Sequence, residues 1–270
     1  RNQMSPSALK VMHRLHTAGY EAYLVGGGVR DILLGQNPKD FDIATNAHPE
    51  EVHGLFKNSR LIGRRFKLVH ILFGREVIEV ATFRGNAEQQ NEKQSEHGML
   101  LRDNVYGSIE EDAIRRDFTI NALYYSPKDF CIYDYADSMR DIQLGLVNII
   151  GDPETRYRED PVRMIRALRF AAKLDFELAE ETGKAIHEHA ALLSNIAAAR
   201  LFDEVLKLFL SGHGLKIFHK LIDYGLFAPL FPDTADVLNS NEKAPTYLKM
   251  LEAGFQNTDT RIQQEKPVTP

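Results

Sequence analysis

The pattern of apolar and polar positions divides the chain into a mixed first half and a helical second half. Four short apolar runs, at residues 22–25, 41–44, 68–73 and 77–83, have the length and composition of strands, and the turn between the last two predicts a hairpin. Helical spacing begins instead after Ser5-Pro6, at Val29 and near Pro49. The first half is therefore predicted to be α/β.

The second half has helical periodicity almost throughout. Predicted helices span residues 161–173, 180–193, 199–210 and 215–226, which places a domain boundary near residue 150. In the first half, residues 85–98 are mostly polar and predict a mobile loop. The residues after 230 are weakly patterned and end without a terminator, and residue 1 is not Met, so we expect a truncated polypeptide.

Composition narrows the class of protein. The 270 residues are 43% hydrophobic and 26% charged, which excludes disordered and coiled-coil chains. No apolar run approaches the roughly 20 residues of a membrane span, and no signal peptide is seen. The single cysteine, Cys131, excludes a disulfide framework and a multi-cysteine zinc site, and we expect it to be buried. These features predict a cytoplasmic protein without a membrane partner.

The net charge of −5 argues against a nucleic-acid partner, but the cations are clustered at two places. The first cluster is Arg60, Arg64, Arg65 and Lys67, and the second is Arg156, Arg158, Arg163, Arg166, Arg169 and Lys173. The distribution of charge therefore permits an RNA contact that the total charge discourages.

Two acids separated by one residue, Asp40 and Asp42, are candidates for catalysis. On a strand they point to the same side, while Phe41 and Ile43 point into a core. Their repulsion, about 4 kcal/mol at a separation of about 4 Å and an effective dielectric near 20, is relieved by protonation or by a bound cation. Carboxylates suit Mg²⁺, and two such ions serve an in-line phosphoryl transfer. A solvent-exposed pair at a strand end is the alternative.

A glycine turn precedes these acids. Gly26, Gly27 and Gly28 lie between the first predicted strand and the helix that begins near Val29, so that bare N–H groups are offered to an anion, and Arg30 adds a positive charge. Three glycines alone predict only a tight turn. The order strand, glycine turn, helix and acidic strand predicts instead a triphosphate site beside a metal pair.

A third carboxylate would complete a two-metal site, and two acids are equal candidates. Glu79 lies in the middle of an otherwise apolar strand, where an acid needs a partner. Asp117 follows Arg115 and Arg116, and an ion pair with either arginine is its alternative role.

The helix after Pro161 has one cationic face. Arg163, Arg166, Arg169 and Lys173 share this face with Asp160, while the opposite face is apolar. Most such faces are simply solvated, but these cations repel one another, which favours a phosphate or RNA contact. Asp160 and Arg163 also form a base-reading pair, because a carboxylate accepts from an exocyclic amine and a guanidinium donates to a ring nitrogen. This pair would accept adenine or cytosine but would not distinguish one from the other.

Taken together, the motifs resemble the class II nucleotidyltransferases, which comprise the CCA-adding tRNA nucleotidyltransferases and the bacterial poly(A) polymerases. The blocks that carry the resemblance are residues 24–31, Asp40-Phe41-Asp42, residues 115–123 and residues 159–163, within a region from about 20 to 230. The resemblance implies a polymerase-β-like α/β head with a mixed sheet at residues 1–150, a helical neck at 151–195 that carries the nucleotide-selecting motif, and a helical body at 196–270.

The resemblance also implies roles for single residues. Asp40 and Asp42 would hold Mg²⁺ in a two-metal reaction completed by Asp117 or Glu79, and Asp160 and Arg163 would act in place of a template. The other residues that we expect to bind the nucleotide are Gly26, Gly27, Arg30, Arg116, Asn121, Arg166 and Arg169.

Residues 61–70 are similar to the segment typical of bacterial poly(A) polymerases, so Arg64, Arg65 and Lys67 are predicted to grip a single-stranded RNA 3′ end. The predicted function is therefore template-independent transfer of AMP from ATP to RNA. CCA addition to tRNA is the nearest alternative, and the absence of a strongly basic tail, which we attribute to truncation, counts against the first choice. A non-catalytic RNA-binding protein on this scaffold and a small-molecule nucleotidyltransferase are alternatives from other classes.

Overall fold

The structure is a computed structural model that describes residues 3–63, 67–85, 105–240 and 242–269. The chain divides into two compact units, residues 1–144 and 145–270. The division into head, neck and body remains a prediction. The predicted polar loop lies mostly outside the described residues.

Unit 1 is built on a seven-stranded mixed sheet. In chain order the strands are β1 (Ala22–Val25), β2 (Asp42–Thr45), β3 (Ser59–Ile62), β4 (Leu68–Phe73), β5 (Glu76–Thr82), β6 (Leu123–Tyr125) and β7 (Ile132–Asp134). Across the sheet their order is β3-β4-β5-β2-β1-β6-β7, with β2 and β5 parallel and the other neighbours antiparallel. The predicted α/β class and the β4–β5 hairpin are confirmed.

Helices cover both faces of this sheet. They are α1 (Pro6–Thr17), α2 (Gly27–Leu33), α3 (Pro49–Leu55), α4 (Ile109–Arg115) and α5 (Ser138–Leu144), with a 3₁₀ turn at Thr119–Asn121. Ser5 caps α1 as its sequence predicts, because its Oγ accepts from the N–H of Ser7 at 3.0 Å. Helix α2 begins at Gly27, two residues before the predicted start, because the glycines themselves form its first turn.

The alternation of side chains along each strand separates two cores. In β2, Ile43 packs into the larger core with residues of α1, α2 and α3, whereas Ala44 packs into a smaller cluster with Ala113 of α4 and Tyr124. Asp42 shares the face of Ala44. The acidic end of β2 therefore lies on the side of the sheet away from the main core.

Unit 2 is helical apart from a two-stranded parallel sheet, β8 (Leu146–Val147) and β9 (Glu177–Leu178). Its helices are α6 (Pro153–Glu159), α7 (Val162–Leu174), α8 (Glu180–His189), α9 (Ala198–Phe209), α10 (Gly214–Asp223), α11 (Phe227–Leu230), α12 (Pro232–Ser240) and α13 (Ala244–Gln263), with a 3₁₀ segment at Ala190–Asn195. The predicted helical second half is confirmed. The weakly patterned end of the chain is also helical, since α12 and α13 occupy most of it.

Two local predictions are wrong. Cys131 is exposed, because it precedes β7 at the edge of the sheet and its N–H is held by the Asp129 carboxylate in a surface turn. Asp40 does not lie on a strand with Asp42, because β2 begins only at Asp42. In the described part of the chain, no helix has the length and apolar character of a membrane span.

Candidate active site

A row of polar residues crosses the sheet on the face away from the main core. Asp42 at the start of β2 is the register partner of Glu79 in β5, and Glu79 is in turn the partner of His70 in β4. Neighbouring strands lie about 4.8 Å apart, so the two carboxylates are adjacent. His70 Nε2 lies 3.2 Å from Glu79 Oε2. Glu79 thus has the partner that an acid in an apolar strand needs, and of the two candidates for the third carboxylate it is the one whose strand pairs with Asp42.

The electrostatics of Asp42 show that this row favours a cation. Asp42 is partly open to solvent, but the desolvation of its carboxylate by the surrounding protein and the charges of Glu79 and Asp40 together raise its pKa to about 6, against the opposing charges of Arg116 and His70. At a pH above this pKa, the ionised Asp42 carboxylate therefore raises the free energy of the folded chain. A divalent cation beside Asp42 and Glu79 would remove that cost.

The glycine turn touches the acidic segment. A Cβ atom added at Gly28 would lie 3.5 Å from the backbone carbonyl oxygen of Asp40, so the two segments are separated by little more than the space of one methyl group. Gly26, which follows β1 next to Asp42, has a φ of 73° and a ψ of −135°, a conformation that only glycine adopts without strain. The glycine turn and the acidic segment, which follow one another in the sequence, therefore also lie next to each other in the fold. The side chain of Asp40 is exposed beside it.

Arg116 is aimed at this turn by two neighbours. Its Nε donates to Tyr124 Oη at 2.8 Å and its Nη2 to Asp112 Oδ2 at 3.0 Å, while a Cβ atom at Gly26 would lie 3.6 Å from its Nη1. Burial lowers the pKa of Arg116, but the Asp112 carboxylate and Tyr124 outweigh burial and raise it above its ordinary value. Arg116 is thus a fixed positive charge at the glycine turn.

Arg30 lies beside the glycine turn, since a Cβ atom added at Gly27 would lie 3.3 Å from its Nη2. The side chain is buried, with Nε and Nη2 donating to Asp31 Oδ1 at 2.9 and 2.6 Å and Nη1 donating to Asn121 Oδ1 at 2.5 Å. Asn121 Nδ2 donates in turn to Asp117 Oδ1 at 3.2 Å. These contacts connect helix α2 to the segment after α4, and they place Asp117 in a structural network.

The donor set fits Mg²⁺. Within the described ranges, no group of three or more His, Cys, Asp or Glu side chains forms a ready metal cage. Mg²⁺ that also binds substrate phosphates needs only one or two carboxylates, and Asp42 with Glu79 supplies a pair. The pairing of Asp42 with Glu79 on neighbouring strands, next to the glycine turn that follows β1, is the structural observation that supports the fit.

The base-reading candidates of unit 2 are held by other partners. Asp160 Oδ2 accepts from Arg200 Nη2 at 2.7 Å, and its Oδ1 accepts from the N–H of Val162 at 3.3 Å. Arg163 Nη1 donates to Glu159 Oε2 at 2.8 Å. Asp160 thus bonds the first N–H of α7, although this helix begins at Val162 and not at Pro161 as predicted, and both candidates are ion-paired within the protein.

The other positively charged residues predicted for the nucleotide and RNA sites differ in their surroundings. Arg166 and Arg169 are partly exposed and lie over the Phe170 ring, with Cζ at 5.6 and 5.0 Å from its centroid. Lys67 Nζ is paired with Glu50 Oε1 at 2.6 Å on the surface of unit 1. Arg64 and Arg65 lie outside the described residues, so their predicted RNA contact stays a prediction.

Three supporting residues were missed by sequence reasoning. Asp112 is spaced one helical turn before Arg116, a spacing that predicts an ion pair, and this signal was available. Tyr124 and Arg200 are brought to their partners by the fold, and no local pattern marks them.

The comparisons with known proteins agree in both units. Residues 22–148 match the family described as "Poly A polymerase head domain", and residues 175–238 match the family described as "Probable RNA and SrmB- binding site of polymerase A". Over its whole length the chain is 54% identical to poly(A) polymerase I of Escherichia coli O6:H1. It is 51% identical over 98% of its length to poly(A) polymerase I of Haemophilus influenzae. The chain spans 59% and 60% of these two relatives.

A solved structure of lower identity is similar over most of the chain. The crystal structure of Bacillus stearothermophilus CCA-adding enzyme in complex with CTP is 35% identical, with a TM-score of 0.70 over 84% of this chain and 54% of that one.

Proposed function

Because the chain belongs to the class II nucleotidyltransferases, the family of the poly(A) polymerases and the CCA-adding enzymes, we propose that it transfers AMP from ATP to the 3′ end of RNA without a template. The observation that carries the proposal is the adjacency of Asp42 and Glu79 beside the glycine turn at Gly26. A carboxylate pair next to a phosphate-sized turn is the arrangement that nucleotidyl transfer needs.

The transfer is a single in-line displacement. The RNA 3′ oxygen attacks the α-phosphorus of ATP and forms a new O–P bond, the bond from the α-phosphorus to the bridging oxygen breaks, and its electron pair leaves with pyrophosphate. The proton of the hydroxyl is released to solvent. The role of Gly26 and Arg116 is to hold the leaving phosphates, since Arg116 supplies a charge that is fixed before the substrate arrives.

Mg²⁺ is part of the proposal. Asp40, Asp42 and Glu79 would hold it, and when bound it supplies a lower pKa for the attacking hydroxyl and charge neutralisation for the phosphates. The protein's own contribution is to keep Asp42 and Glu79 in register on two paired strands, so that the carboxylates do not have to be brought together when the substrate binds.

ATP selection is assigned in this proposal to Asp160 and Arg163, with Arg166 and Arg169 contacting the nucleotide. Asp117 and Asn121 act by supporting helix α2 through Arg30. The RNA 3′ end is single-stranded, and a cytoplasmic location remains a prediction.

CCA addition to tRNA is the second candidate. The similarity to the CCA-adding enzyme at 35% identity favours it, and the higher identity of 54% to a poly(A) polymerase places it second. A non-catalytic RNA-binding protein is disfavoured, because a scaffold that only binds RNA would gain from losing the repulsion between Asp42 and Glu79.

A nucleotide-choice assay tests the proposal. The chain is incubated with Mg²⁺ and either ATP or CTP on two RNAs, an unrelated single strand and a tRNA trimmed of its 3′ end. We expect A tracts on both RNAs and no incorporation of CTP. Incorporation of CTP into the trimmed tRNA alone would establish CCA addition instead, and no incorporation by wild type or Asp42→Asn would establish a non-catalytic role.

A further inference from the structure

In-line displacement fixes the side from which RNA approaches, if the proposed function holds. The glycine turn and Arg116 lie on the β1 side of Asp42, since Val25, the last residue of β1, is the register partner of Asp42. The nucleophile lies opposite the leaving group in this reaction. With the leaving phosphates at Gly26, the RNA 3′ hydroxyl therefore arrives from the β5 side.

The polar row continues in that direction beyond the carboxylates. Glu79 pairs with His70, and His70 pairs with Arg60 in β3, so these three side chains share the face of Asp42. Three strand spacings of about 4.8 Å place the Arg60 backbone roughly 14 Å from that of Asp42. Arg60 thus lies further along the path that an RNA strand would take away from the reacting end.

This part of the sheet face is open and suits RNA. Arg60 is exposed, and in the described part of the chain it has no acidic partner. Ile62 and Val77, on the same face, are 43% and 42% exposed although both are large and apolar. A cation beside an exposed apolar surface is complementary to a phosphate beside a base.

We infer that Arg60, Ile62 and His70 form the subsite for the last nucleotides of the RNA, with one phosphate on Arg60. The two substrates then lie on opposite sides of Asp42: the ATP phosphates on the β1 side, and the RNA on the side of β4 and β3. His70 serves both partners, because its contact with Glu79 also fixes that carboxylate next to Asp42.

Direct binding tests the subsite without turnover. A labelled RNA that ends in 3′-deoxyadenosine is titrated with wild type, Arg60→Ala and Arg75→Ala, and fluorescence anisotropy is measured over a range of salt. Arg75 is the matched control, since it is an exposed arginine in the β4–β5 turn and lies outside β3 and the polar row. For Arg60→Ala we expect about fivefold weaker binding at low salt and a slope of log K against log salt reduced by about 0.7. Equal affinity and slope for Arg60→Ala and wild type would overturn the inference.

Kinetics separate this inference from the proposed function. Arg60→Ala is expected to raise the KM for RNA more than the KM for ATP. A substitution that acted only by destabilising the sheet would change both KM values. If wild type extends RNA and Arg60→Ala has the same KM for RNA, the subsite is wrong and the proposed function stands. If wild type adds no nucleotide but Arg60→Ala still loses RNA binding, the subsite stands and the proposed function is wrong.

Discussion

The acidic row of unit 1 and the charged face of unit 2 handle charge in opposite ways. In unit 1, Asp42 lies beside Glu79 with like charges adjacent, and its pKa is raised to about 6. In unit 2, Asp160 is paired with Arg200 and Arg163 with Glu159. The proposed function makes the first region a site for a cation, whereas in the second region the acids and arginines are paired with each other. Repulsion between neighbouring like charges is therefore a better indicator of a ligand site than the number of charged residues.

The largest effect is expected from Asp42→Asn. Removing this carboxylate takes away a cation ligand that acts in the transition state, so we expect AMP transfer to fall by about a thousandfold or more. Single-turnover incorporation of labelled ATP measures the loss. Lys39→Ala, a change at an exposed neighbouring position, is the control and should retain near-normal transfer. A fall of less than tenfold in Asp42→Asn would remove Asp42 from the chemistry.

The same substitution should stabilise the ligand-free chain, with a defined pH dependence. Because the pKa of Asp42 is raised in the folded state, the wild type loses stability as pH rises from about 4 to about 6, and the penalty persists above that range. Asp42→Asn should therefore have a higher Tm than wild type at pH 8 and an equal Tm at pH 4. An Asp42→Asn variant that is less stable at pH 8 would show that the acids do not repel.

Asp112→Asn is expected to lower stability by about 2 kcal/mol. Asp112 is buried and accepts from Arg116 and Tyr124, so its loss leaves the Arg116 charge without its anion. Urea unfolding measures the change, and the KM for ATP should rise because Arg116 is no longer aimed at Gly26. Tyr124→Phe, which removes one hydroxyl, should have a smaller effect of the same sign.

Glu159→Gln sharpens the contrast between the regions. Glu159 accepts from both Arg156 and Arg163 at 2.8 Å in a partly buried position, so its loss should lower stability by about 1 kcal/mol. The sign is opposite to that expected for Asp42→Asn at pH 8. Removing an acid would thus stabilise the acidic row of unit 1 and destabilise the charged face of unit 2. Glu154→Gln is a suitable control, because its exposed pair with Arg158 should contribute almost nothing. A stabilising Glu159→Gln would erase the contrast.

The smallest effect concerns His70. His70→Ala removes the contact with Glu79 and should lower kcat by about threefold, whereas His70→Gln retains a donor at the same reach and should stay close to wild type. Steady-state kinetics at saturating ATP distinguish the two variants. Identical rates for His70→Ala and wild type would show that Glu79 needs no support.

The sequence predicts most of the strands and the order of the motifs, because these follow from local periodicity and glycine turns. Glu79 was found as a candidate because a lone acid in an apolar strand is anomalous, but its rank against Asp117 depended on the parallel pairing of β2 with β5. The position of Arg30 beside the glycine turn follows from its local place in the helix, whereas its contact with Asn121 is set by tertiary packing. The partners of Asp160 and Arg163 likewise depend on the packing of α9 and α6 against α7.

Binding of a divalent cation is the most direct test of the central role of Asp42 and Glu79. Electron paramagnetic resonance of Mn²⁺ is recorded with the chain and an ATP analogue that cannot be cleaved between its α and β phosphates. The account predicts that wild type immobilises Mn²⁺ with the analogue and that Asp42→Asn, although stably folded, does not. Equal Mn²⁺ binding by the two proteins would contradict it.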